Sequence, residues 1–156
     1  MKTQGEQLWI QLEQVHQQFK QLVGELKSCD RTTRLNLIKQ GYKNRALTVD
    51  VLEYIVPDEL KELLPFLLSH ARSVHPYLGR VRQIILSLPK KWLVEHIDGA
   101  AEPLLQNGDD EEYRRLLELY TQIDLELTKR LALRALASSD PNVREVGQDF
   151  IEKLGS

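Results

Sequence analysis

Four arginines, Arg45, Arg82, Arg114 and Arg144, recur at intervals of 37, 32 and 30 residues, and each heads an apolar stretch of matching phase. Two positions beyond them stand Leu47, Ile84, Leu116 and Val146; six positions beyond stand Val51, Leu88, Tyr120 and Phe150. The first and last copies agree further, Leu52 with Ile151 and Ile55 with Leu154. A period of roughly 30–40 residues with helical spacing inside it constrains the fold strongly. One helix pair cannot bury its apolar face alone, so such units must stack on one another. An aspartate stands four residues before the last two arginines, as Asp110 and Asp140. Asp140-Pro141 is a helix start, with Asp as N-cap and Pro at the first helical position. Asp110 is expected to act in the same way.

The partner helices must lie between the arginines. Asp30 opens a short one that Gly41 ends. Pro57-Asp58 opens a second, reaching about Arg72. Pro89 opens a third, expected to be interrupted near Gly99 and Pro103. Asp124 caps a fourth. The predicted pairs are 31–56, 58–88, 90–122 and 124–154. The short links between helices favour antiparallel neighbours.

Residues 1–28 follow another rule. Leu8, Leu12, Val15, Phe19, Leu22 and Leu26 alternate spacings of four and three, a heptad seam about three repeats long. The expected role is a capping helix that covers the first pair through Leu12, Phe19 and Leu26, since an end repeat has no neighbour to cover it. A coiled-coil dimer is the alternative, and a monomer is expected because three heptads are marginal in isolation.

Residues 29–154 resemble HEAT repeats. The turn at 110–114 and 140–144 carries the likeness, with weaker versions at 78–82 and 41–45. The proline-leucine segments "LLPFLL" at 63–68 and "EPLL" at 102–105 add to it. "NRALTVDVLEYIVPDELKELLPFLL" is similar to HEAT segments appended to bacterial nucleotide-carrier-like transporters. Leu88 to Leu154 is similar to helical repeats at the C-terminal end of bacterial NACHT-type signalling NTPases. The resemblance implies an all-α, right-handed α-solenoid of about four antiparallel pairs, HEAT- or armadillo-like. In the family, turn Asp and Arg residues often form a ladder between repeats. Here Gly41 and Leu78 hold the Asp position of the first two copies.

Little in the sequence points to chemistry. His16, His70, His75 and His96 lack metal-ligand spacing. The glycines are isolated, so no phosphate-cradling loop is expected. Cys29 is the only cysteine. It is expected to be a small packed residue at a helix end, in a reducing, cytoplasmic protein. No apolar run approaches a membrane span. Gly155-Ser156 is read as a cloning scar. The expectation is a non-enzymatic scaffold or adaptor with no cofactor and no metal.

Net charge is −2 over 156 residues, yet the charge is banded. Arg72, Arg80, Arg82, Lys90 and Lys91 face only Glu95 within 70–96, whereas 98–126 holds nine acids against Arg114 and Arg115. The five basic residues are the candidate partner site, for an acidic protein or peptide. A nucleic-acid reading would add Tyr77 and Trp92, but the acidic band and the net charge oppose it. A regulatory arm beside a bacterial signalling NTPase is the remaining alternative.

Overall fold

The computed structural model describes residues 1–155; Ser156, half of the dipeptide read as a cloning scar, lies outside them. Among the described residues there are ten α-helices, one 3-10 turn and no strand. No helix among them is long and apolar enough to cross a membrane. The chain divides into two compact units, Met1–Tyr54 and the remainder from Ile55.

The first unit contains α1 (Gln4–Lys27), α2 (Arg31–Gln40), a 3-10 turn (Gly41–Lys43) and α3 (Arg45–Leu52). A reciprocal cap starts α1: Glu6 N–H donates to Thr3 Oγ1 at 3.2 Å, and Thr3 N–H to Glu6 Oε2 at 2.6 Å. Two orphan amides are thereby satisfied. Arg34, only 8% exposed, donates to the carbonyl of Lys27 at 3.0 Å and to that of Cys29. It closes the end of α1, whose last carbonyls have no helical partner. Asp30 caps α2 by accepting from Thr33 N–H at 2.9 Å, and bonds from Thr33 hold its carboxyl below the usual range. Cys29 is exposed rather than packed, because the turn at 28–30 turns it outward while Arg34 reaches the backbone beside it.

The second unit contains α4 (Pro57–Glu62), α5 (Leu64–Ala71), α6 (Leu78–Leu86), α7 (Lys90–Leu105), α8 (Asp110–Thr121), α9 (Leu125–Leu136) and α10 (Pro141–Leu154). Two expectations about proline are corrected. The helix opened by Pro57 breaks at Leu63, because Pro65 has no N–H and its ring opposes the carbonyl of residue 61. By contrast α7 runs unbroken through Gly99 and Pro103. Pro103 stands in its last turn, so a single backbone bond is lost there. The α8 cap is Asp109, which accepts from Glu112 N–H at 2.8 Å, and Asp110 is already helical. Asp124 and Asp140 cap α9 and α10 as their sequence contexts require.

A single burial pattern recurs along the chain. Thr48, Val51, Leu52 and Ile55 are buried; so are Val81, Ile84, Ile85 and Leu88; Tyr113, Leu116, Leu117 and Tyr120; and Val143, Val146, Gly147 and Phe150. Each set is spaced i, i+3, i+4, i+7, the spacing of one apolar helical stripe, with Ile55 and Leu88 falling just past the ends of α3 and α6. Leu47, matched by arginine counting to buried Ile84, is instead 47% exposed. The first copy therefore slips by four residues. The position equivalent to Arg82, Arg114 and Arg144 is Val49, and Arg45 starts α3 outside that register. The cause is the short Asn44 cap, which begins the helix at Arg45 itself.

Candidate interaction surface

The five basic residues of the candidate site do not share one environment. Arg82 lies in the middle of α6 with its side chain 16% exposed. It donates to Glu118 Oε2 of α8 at 2.8 Å and to the carbonyl of Arg115 at 3.3 Å. Arg72 pairs with Glu112 at 3.6 Å. Arg80 is half-buried, whereas Lys90 and Lys91 are exposed on the first turn of α7. Beside them, Trp92 stacks on His96 at 4.4 Å between ring centres, and Lys61 Nζ stands 5.5 Å from the Trp92 ring. Tyr77 is elsewhere, in the α5–α6 link. Its N–H donates to His75 Nδ1 at 3.1 Å, while His75 Nε2 meets the His70 carbonyl at 2.6 Å. Those contacts fix His75 in the tautomer that carries its proton on Nε2.

The basic and acidic bands meet each other. Arg72–Glu112 and Arg82–Glu118 join one band to the next, across 40 and 36 residues of chain. Arg114 repeats the move, reaching Asp149 of α10 at 2.9 Å over 35 residues. Arg144 turns inward instead. It donates to the carbonyls of Ser138 and Ser139 at 2.9 and 3.0 Å and closes the end of α9. Its side chain is exposed. Arg45 is exposed too, 5.3 Å from the Tyr42 ring centre.

A second row of bridges links α7 to α9. Arg130 meets Asp98 at 3.2 Å, and Arg134 grips both oxygens of Glu102 at 2.5 and 3.0 Å. The Arg134 hydrogen bonds hold the Glu102 carboxyl below its usual range. From α8, buried Tyr120 donates to Asp98 at 3.0 Å and buried Tyr113 to the Leu105 carbonyl at 3.4 Å. Burial, then the nearby Asp98 charge, pushes the Tyr120 phenol far above its ordinary range, so it stays a donor. These acids, counted from sequence as a patch, are structural partners of neighbouring helices. Sequence spacing could have suggested this row, since Asp98 and Glu102 stand 32 residues before Arg130 and Arg134.

On the first unit, the expected covering face of α1 divides in two. Phe19 and Leu26 are half-buried, and Phe19 meets the Tyr54 ring edge-on at 6.0 Å. Leu12 is 61% exposed. No protein-family model, curated protein or solved structure matches the chain.

Proposed function

We propose that the chain is a non-enzymatic scaffold built from HEAT-like helix pairs stacked as a right-handed solenoid, which holds a partner protein or peptide. The observation that carries this reading is the pair of charge rows in the second unit. Arg82–Glu118 and Arg114–Asp149 tie alternate helices, and Asp98–Arg130 and Glu102–Arg134 tie the helices between them, all across 32–36 residues. Ties at one near-constant interval are what stacked units of one length produce. The recurring buried stripe supports the same period. Layered stacking leaves an extended outer surface for a partner.

Lys90 and Lys91, with Arg80 on the neighbouring helix, supply the contact for an acidic partner, while Arg72 and Arg82 also serve internal bridges. Cations on a first helical turn oppose the helix dipole by about 0.3–1 kcal/mol each, so stability does not account for Lys90 and Lys91. Reversing Arg80, Lys90 and Lys91 to Glu together should weaken capture of an acidic partner at low salt while the protein stays folded by far-UV circular dichroism. Equal capture by wild type and the triple variant would refute the site. A DNA titration serves as the contrast: tight, steeply salt-dependent binding would replace the scaffold reading with a nucleic-acid one.

A further inference from the structure

We propose that the N-terminal half of α1 is a self-association surface, on which a second copy of the chain lays the same half-helix in antiparallel orientation. Four of the six heptad positions lie open: Leu8 is 53% exposed, Leu12 61%, Val15 63% and Leu22 55%, and Trp9 beside them is 64% exposed. The four side chains that precede Phe19 (Leu8, Trp9, Leu12 and Val15) leave about 400–500 Å² of apolar surface uncovered. A monomer rarely keeps so large a contiguous patch without a use for it. A standard interface covers about 800 Å² per partner, roughly 60% of it apolar, which is again about 500 Å². The patch therefore supplies the apolar share of one interface and no more.

The flanks select a second copy. Gln11 and Gln18 border the stripe on one side, Trp9 and His16 on the other. Glu13 is held by Trp9 Nε1 at 2.8 Å. A partner chosen by charge finds little to read there, whereas an identical helix meets no like-charge repulsion. The orientation follows from what already covers the stripe. After Val15 the helix is held to its own unit by Phe19 on Tyr54 and by the buried Val23, with Leu22 left open between them. An incoming helix can use only the stretch before Phe19, and running antiparallel keeps the two units at opposite ends of the contact. With the two-fold axis between Gln11 and Leu12, this arrangement sets Leu8 against Val15 of the second copy and places Leu12 beside its own equivalent at the axis, as a two-fold contact requires. It also brings Lys2 of the second copy toward the groove between α1 and the end of α3, where Asp50 and Glu53 stand with Tyr54.

The test uses the full chain in sedimentation experiments at micromolar concentrations. The wild type should show a reversible monomer–dimer equilibrium. Leu8→Glu and Val15→Lys should each weaken it at least about tenfold. Both changes lie on an exposed face, so far-UV circular dichroism should match wild type, and thermal midpoints should match at concentrations where the wild type is monomeric. Mixing Leu8→Glu with Val15→Lys should restore the dimer, because the two sites oppose each other only when the helices run antiparallel. Mixing Leu8→Glu with Leu8→Lys should not. A wild type that stays monomeric at the highest concentration, a dimer indifferent to both substitutions, or rescue by the same-site mixture alone would overturn the proposal.

Discussion

Gly147 lies in the middle of α10 where it crosses α9, and replacing it with alanine should lower stability. Glycine inside a helix ordinarily costs about 1 kcal/mol relative to alanine, so the usual expectation is a gain. Here a Cβ would stand 2.8 Å from the Ala132 carbonyl oxygen, 2.8 Å from the Leu136 nitrogen and 3.0 Å from the Ala135 Cβ. Two of these are backbone atoms of a hydrogen-bonded helix and cannot swing aside as a side chain would. Forcing an extra methyl into a packed contact costs about 1–3 kcal/mol as helices shift apart. With two backbone atoms at 2.8 Å the upper half of that range, about 2–3 kcal/mol, applies, and the opposing propensity gain leaves a net loss of about 1–2 kcal/mol. With a urea slope of about 1–3 kcal/mol per molar, the unfolding midpoint should fall by roughly 0.5–1 M. Gly99 is the matched control: it is helical in α7, and a Cβ there meets nothing within 4 Å. Gly99→Ala should raise the midpoint or leave it in place. A Gly147→Ala midpoint equal to or above wild type would refute the close approach of α9 and α10.

The Arg82–Glu118 bridge should show coupling in a double-mutant cycle. Arg82→Ala should cost about 1–3 kcal/mol, with a coupling energy of at least about 0.5 kcal/mol to Glu118→Gln; additive losses would mean the pair does not interact in solution. Arg144→Ala should cost less than Arg82→Ala, since Arg144 is exposed and bonds only local carbonyls. The reverse order in urea unfolding would contradict that ranking. Glu102 has a depressed carboxyl, so its contribution is present above the ordinary carboxylate value of 4.5 and is lost as pH falls through its lower folded value. Glu102→Gln should flatten stability against pH below 4.5, and an unchanged acid limb would exclude this carboxylate as a source of it.

The helical class and most helix starts were readable from sequence because they rest on local chemistry. Asp30, Asp124 and Asp140 each cap the helix they precede, and Pro57 and Pro141 sit at first helical positions. The register of the first copy was not readable, because arginine is a surface residue and several phases of a leucine-rich helix look alike. Burial decided it, through Thr48 and Val49 and against Leu47. The banded charge was visible, but its use was not. Sequence shows that Arg82 is basic and Glu118 acidic; only packing brings them to 2.8 Å and turns a candidate partner site into an internal bridge. The seam on α1 was equally visible. Which of its positions are covered depends on where Tyr54 lies, and that is a tertiary fact.

The bridges from Arg82, Arg114, Arg130 and Arg134 also bear on how the second unit opens. Each one skips an intervening helix, so α8 cannot peel away without releasing α6 and α10, and α9 cannot leave without α7. Protection from hydrogen exchange should therefore be shared across α6 to α10 as one cooperative block. In the monomer the first half of α1, whose buried contacts begin only at its far end, should exchange early and alone.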